Sequence, residues 1–214
     1  MNKRLATNTN IKLFQGNEYD GLPILDYVMS KDYLKKIKIT SRYALHDHTR
    51  SLIIRADLRV PIWMGNVDTA LISQFIASLK AQIKADLQKK ANAGSRVYPC
   101  NLRYVWAKEQ DLSWHWHYHT LLFLNKDAYH TVGDINAVNG NMAARIKKAW
   151  ASALGLGIDE TAGLVQFCGE FHLDNNSPWI NAHLSPVFEA ASYLAKVATK
   201  NYGDHTKHFG CSRF

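Results

Sequence analysis

The chain has 214 residues, a formal net charge of +8 and a pI near 9.3, with 47% hydrophobic and 21% charged residues. Such proportions suit one domain with a modest N-terminal elaboration, or at most two small ones, and exclude a chain too polar to bury a core. No apolar run approaches the ~20 residues of a bilayer-crossing helix, and the excess of Lys and Arg favours a polyanionic partner, nucleic acid first.

The start, Met-Asn-Lys-Arg-Leu-Ala, has no apolar stretch after its basic residues, so no secretory signal is expected. Residues 1–20 are Asn/Thr-rich and read as an irregular arm. Pro23 is placed to open a helix, with Ile24, Leu25, Val28, Leu34 and Ile37 at helical spacing and lysines 31, 35, 36 and 38 on its solvated side. Residues 51–60 alternate as a strand. Leu52, Ile54, Ala56, Leu58 and Val60 form one face, and Arg55, Asp57 and Arg59 the other. Asp57 between two arginines reads first as a structural ion-pair ladder and second as the edge of a site.

Asp68 is a candidate N-cap for a helix to about Lys90, with Leu71, Phe75, Ile76, Leu79, Ile83 and Leu87 as its core stripe. Residues 102–109 form a strand, 110–113 a short connection, and residues from His115 to about Asn125 a second strand, together an antiparallel hairpin. Residues 126–140 are polar and read as mixed turn and short helix. A helix spans 142–154 and ends at Gly155, and another strand covers 164–173. Pro186 is expected to start a last helix through about Lys200. Cys100, Cys168 and Cys211 are far apart with no Cys-x-x-Cys, which points to a reducing, cytoplasmic setting. The order of elements predicts an α+β fold, a mostly antiparallel sheet of four to five strands with helices packed on it. Residues 1–45 form the arm and first helix, and 46–214 the main body.

The chemistry begins in the second hairpin strand. His115, His117 and His119 share one face of it. His115 and His119 lie ~13 Å apart along a strand rising ~3.3 Å per residue, so only a neighbouring pair closes on one ion. The run Leu121, Leu122, Phe123, Leu124 is apolar on both faces, as in a central, covered strand. Glu109, across the hairpin, can reach the same ion and selects His117 and His119. His115 is left as a supporting or nucleic-acid contact. Downstream, Tyr193-Leu-Ala-Lys196 places a phenol and an ammonium on one helical face, and Lys200 continues that face toward nucleic acid. Alone, Tyr-x-x-Lys occurs in many ordinary amphipathic helices. His205-Thr-Lys-His208 has weak ligand spacing and reads as a basic tail.

Taken together, Glu109, His117-x-His119 on an apolar strand and Tyr193-x-x-Lys196, in a basic α+β chain, resemble the HUH endonuclease superfamily. That superfamily comprises rolling-circle replication initiators, relaxases and related transposases. Arg55-x-Asp-Leu-Arg59, His117-Tyr-His-x-Leu-Leu-x-Leu-Asn-Lys-Asp-Ala128, Tyr193-Leu-x-Lys196 and Phe209-Gly-x-Ser-Arg213 look most like the inovirus-type gene II replication proteins of prophages.

The resemblance implies a ferredoxin-like catalytic domain over 46–214 that nicks and rejoins single-stranded DNA and initiates rolling-circle replication of a phage or mobile element. His117, His119 and Glu109 would hold Mn²⁺ or Mg²⁺. Tyr193 would form a 5′-phosphotyrosine with help from Lys196, and one tyrosine in the motif does not support a two-tyrosine mechanism. The partner would be a single-stranded origin or hairpin. No Gly-x-x-x-x-Gly-Lys-Ser/Thr occurs, so no nucleotide cofactor is expected and a host helicase would be borrowed. The rival reading is a sequence-specific DNA-binding regulator on the same fold, without cleavage. A metallohydrolase of small substrates would have no need of Tyr193.

Overall fold

In the computed structural model, residues 4–65, 67–110, 115–203 and 206–213 are described. The N-terminal stretch expected as an irregular arm is instead built of short strands. β1 (Arg4–Leu5) pairs with β2 (Asn8–Phe14), and β2 pairs with β5 (Met29–Ser30). Between them β3 (Glu18–Tyr19) and β4 (Leu22–Pro23) form a hairpin whose two-residue loop, Asp20-Gly21, has positive φ at both positions. That is the backbone a type I′ turn requires, and Asp-Gly supplies it at low cost.

Pro23 therefore ends a strand and does not open a helix. α1 runs Lys31–Asp47, and its N-cap Ser30 accepts a hydrogen bond from the Tyr33 amide. Ile24, Leu25 and Val28 lie ahead of it, outside any helix.

β6 (Arg50–Arg59), β7 (Arg103–Gln110), β8 (Trp116–Asn125), β9 (Val165–Asp174) and β10 (Phe209–Cys211) make one sheet in the order β10-β7-β8-β6-β9, antiparallel at every junction. The 110–113 connection falls mostly outside the described residues. The register Gln110↔Trp116 nonetheless makes β7 and β8 antiparallel neighbours. β10, in the tail, carries no strand expectation from the sequence. It fits because Gly210 lies against the Trp106 indole, where a Cβ would stand 2.5 Å from the ring.

Helices cover both faces of the sheet. α2 (Thr69–Asn92) starts at N-cap Asp68, whose carboxylate accepts from the Ala70 amide at 2.7 Å, and α3 (Met142–Leu154) ends at Gly155 in the left-handed region, both as expected. These two helices bury Leu52, Ile54, Trp106, Tyr118 and Leu122 against Phe75 and Trp150. The odd-numbered positions of β6, β7 and β8 face the other way. Ile53, Val105, Leu121 and Phe123 pack there under α1 and α4 (Ile180–Ser192), on Leu34, Ile37, Val187 and Phe188. Each fully enclosed Leu, Ile or Phe contributes about 1.5–3 kcal/mol. The central strands are apolar on both faces because both faces are buried. No helix of the described residues is long and apolar enough to cross a membrane.

α4 departs most from expectation. It begins at Ile180, not Pro186, and stops at Ser192 instead of reaching Lys200. Pro186 sits inside it, where its missing N–H leaves the carbonyl of Ala182, on the exposed first half, to solvent. A 3₁₀ turn, Tyr193–Ala195, follows, and Lys196 is extended. The chain is stopped there by the segment ahead of α1. The Val197 amide donates to the Val28 carbonyl at 3.0 Å, and Lys196 bridges to Met29.

Candidate metal centre

The sheet register assembles the site in rows. Arg59, His117 and Glu109 stand side by side across β6, β8 and β7. One row inward are Asp57, His119 and Ala107. Strand alternation turns these odd-numbered side chains to the α1/α4 face, at the end of the strands beyond the last turn of α4.

His117 Nε2 and His119 Nε2 are 3.0 Å apart, and His119 Nε2 is 3.7 Å from Glu109 Oε2. One ligand atom from each of Glu109, His117 and His119 lies within 4.8 Å of the others. Asp57 Oδ1 is 2.7 Å from His119 Nδ1. That bond places the Nδ1 proton toward Asp57 and leaves the Nε2 lone pair for the centre, the carboxylate–histidine arrangement of metal sites. His117 Nδ1 faces the His115 carbonyl at 3.4 Å. A donor set of two imidazoles and one carboxylate fits a divalent ion. A 3.0 Å separation is the chord of two bonds of ~2.1 Å at about 90°.

Electrostatics sharpen the roles. Burial would raise the Glu109 carboxyl, but His119 and Lys200 hold it well below the usual carboxylate range. Burial, then the charge of His119, pushes His117 down, which keeps a neutral imidazole available as a ligand. His119 is raised: burial opposes its charge, and Asp57 and Glu109 overcome that. Burial likewise acts against the Asp57 carboxylate, which His119 and Arg55 hold low.

The second half of the expected site meets the first. The Tyr193 ring stands edge-on to His119, centroids 4.9 Å apart at 87°. Lys196 Nζ donates to the Tyr193 hydroxyl oxygen at 2.8 Å and lies 3.2 Å from Glu109 Oε2. Burial opposes the Lys196 charge, but the hydroxyl and Glu109 raise its pKa. The i, i+3 pairing holds although the local structure is 3₁₀, because residues three apart eclipse one another there. A cleft of about 400 Å³ opens over these groups, with His115 and Arg59 in its lining.

Lys200, expected to face nucleic acid, is placed otherwise. Its side chain is wholly enclosed and its Nζ lies 2.7 Å from Glu109 Oε1. Burial pushes its pKa down to about 8 against the pull of Glu109. His205 lies outside the described residues.

Two contributors, Thr199 and Tyr27, escaped the sequence reading, and a third, Asp57, counted there only second as the edge of a site. Asp57 was placed first in an arginine ladder, yet Arg59 bonds Gln166 at 2.9 Å and Asp57 turns to His119. The signal was present, since charged residues alternated along a strand otherwise apolar. Thr199, at φ 68°, donates to Glu109 Oε2, and its carbonyl accepts from the Gln110 amide. Nothing local marks a β-branched residue for that conformation. Tyr27, from the segment ahead of α1, packs its ring 5.9 Å from that of Tyr193.

Residues 17–212 match the family model described as the YagK/YfjJ C-terminal domain. The "uncharacterized protein YagK" of Escherichia coli (strain K12) is 35% identical over 95% of this chain and 99% of its own length. The "uncharacterized protein YfjJ" of the same strain is 35% identical over 85% of this chain and 93% of its own. No solved structure is significantly similar. On the extent of these matches, the chain belongs to the YagK/YfjJ C-terminal domain family.

Proposed function

We propose that this protein is a tyrosine endonuclease of HUH type, which nicks and rejoins single-stranded DNA in a metal-dependent reaction. One observation carries the reading. A tyrosine hydroxyl bonded to Lys196 is packed against His119, one of the two imidazoles that share a centre with Glu109. A structural tyrosine has no need of that company.

Mn²⁺ or Mg²⁺ held by His117, His119 and Glu109 would supply Lewis acidity toward a phosphodiester oxygen. Asp57 fixes the His119 ring and its tautomer. The Lys196 ammonium stabilises negative charge on the Tyr193 oxygen as its proton leaves. That oxygen attacks phosphorus and forms the Tyr193 O–P bond. The P–O3′ bond breaks, and the 3′-oxygen takes a proton to become a hydroxyl. Reversal by a 3′-hydroxyl reseals the strand without a nucleotide, because the phosphodiester is conserved. In this reading the partner is a single-stranded origin or hairpin of a phage or mobile element. Its replication is initiated in the cytoplasm with a host helicase.

A second reading, a DNA-binding regulator that retains the site without cleavage, is favoured by one feature. Glu109 is already engaged by Lys196, Thr199 and Lys200. A randomised pool of labelled single-stranded DNA, incubated with Mn²⁺ and run on a denaturing gel, separates the two. The nickase gives a covalent adduct that disappears with chelator and in Tyr193→Phe. Binding without adduct supports the regulator. An adduct retained in Tyr193→Phe would sink the choice of nucleophile. Tyr202, the next candidate, is packed on His208 with its phenol pushed up by burial.

A further inference from the structure

Arg55 is the cation of this site whose employment is incomplete. It stands one row inward from Asp57 and His119, opposite Leu121 on β8 and Gly169 on β9. Its partner on β8, Leu121, and Ile53, two residues back on the same strand face, are buried apolar residues. Its Nε is enclosed and has no hydrogen-bond partner among the described residues. A guanidinium donor removed from water without an acceptor is costly. Gly169, opposite it on β9, has no side chain and lies under the Phe171 ring, and the β6/β9 register shifts between Arg55 and Ala56.

The neighbouring cations are committed elsewhere. Lys196 holds the Tyr193 hydroxyl and Glu109, Lys200 holds Glu109, and Arg59 holds Gln166. Arg55 instead lies over the Tyr193 ring, its Cζ 5.0 Å from the centroid. Asp57, on the same strand face, is attracted by its charge but bonds His119.

We infer that Arg55 is a phosphate-binding residue, whose guanidinium takes an oxygen of the phosphodiester that Tyr193 attacks and then carries. This rests on the reading of Tyr193 as nucleophile for its place in the reaction. The planar guanidinium offers phosphate several donors in a fixed fork, which an ammonium does not. Its position beside the tyrosine, and not beside Glu109, assigns it to the covalent intermediate. A cation that served only to pack the ring would gain nothing from a free donor.

The test uses the full chain, with Arg55→Lys and Arg55→Ala. The arginine Nε–H resonance that vanishes in Arg55→Lys is followed by ¹H–¹⁵N NMR while inorganic phosphate is added, with no metal present. A saturable shift is expected, and a resonance that stays in place overturns the inference. In parallel, the rate of adduct formation with Mn²⁺ is measured. It should fall about 100-fold in Arg55→Ala and about tenfold in Arg55→Lys, as for loss of a transition-state donor. Mn²⁺ affinity should stay within about threefold of the unaltered chain. Unchanged adduct rates, or Mn²⁺ binding lost in step with the rate, also overturn it. If the unaltered chain forms no adduct but the resonance titrates with phosphate, the nucleophile reading falls and the phosphate site stands. If Arg55→Ala fails to fold, Arg55→Lys and the titration decide alone.

Discussion

Asp57 and His119 share one hydrogen bond of 2.7 Å, and it determines which imidazole nitrogen is left for an ion. Outer partners of this kind orient the ligand ring and raise its basicity. Asp57→Asn should therefore lower Mn²⁺ affinity about 10- to 100-fold with the fold intact. Calorimetric titration with Mn²⁺ checks this, and an unchanged affinity would remove Asp57 from the site. Glu109 has a heavier structural duty, because the Lys200 side chain is fully enclosed and rests on its carboxylate. Glu109→Ala leaves that ammonium buried and unpaired, and should cost about 3–5 kcal/mol of stability in a urea titration. Loss of metal binding in that variant would say little by itself; His117→Ala, at a half-buried position, is the cleaner probe. At this scale the sequence was readable where chemistry and strand period coincide, as at Glu109, His117 and His119. It was not readable at Lys200, because a lysine destined for a buried carboxylate looks like any lysine on a helical face.

Between residue and fold stands the join of α4 to the segment ahead of α1. Ser192 is buried, accepts from the Leu25 amide at 3.0 Å and donates to the Glu189 carbonyl at 2.7 Å. The next residue is Tyr193, so this hydrogen bond and the Lys196–Met29 bridge hold the candidate nucleophile from a distant part of the chain. Ser192→Ala orphans the Leu25 N–H and should cost about 1–3 kcal/mol. Amide exchange at Leu25 and Val197 should quicken more than exchange in β8; uniform quickening would mean that the join has no local function. These ties also explain what sequence pattern missed. Apolar spacing continued through Leu194 and Val197 and predicted helix to Lys200, while contacts with residues 25–29 ended it at Ser192. Conversely, α2 and α3 were legible because their caps, Asp68 and Gly155, are local signals. The Asp20-Gly21 turn is equally local, and it lay unread within a polar stretch.

Across the whole molecule, each helical layer is fastened by a carboxylate whose ionised form is favoured. On the site face, Asp47 at the end of α1 grips Arg103 of β7 at 2.7 Å, and that bond, over the opposition of burial, holds its pKa low. On the opposite face Asp86 of α2 accepts from the Tyr129 hydroxyl at 2.9 Å and pairs with Lys90 and with Arg145 of α3. Burial would raise the Asp86 carboxyl; Lys90, Tyr129 and Arg145 bring it below the ordinary value. A carboxyl whose pKa is lower folded than unfolded stabilises the fold fully above the unfolded value, ~3.9 for Asp, and less as pH falls through the folded value. Protonation also adds to a net charge already at +8, so self-repulsion acts in the same direction. These two carboxylates should therefore add no slope to the melting temperature near neutrality and make it fall below about pH 4. Asp47→Asn/Asp86→Asn should melt lower than the unaltered chain at pH 7, and the gap should narrow as pH is taken from about 4 toward 2. A gap that stays constant over that range would show that neither carboxylate is linked to folding through its proton. A constant gap, with both chains still melting lower in acid, would place the acid-sensitive groups elsewhere, and Asp57 and Glu109 are the next lowered carboxylates to replace.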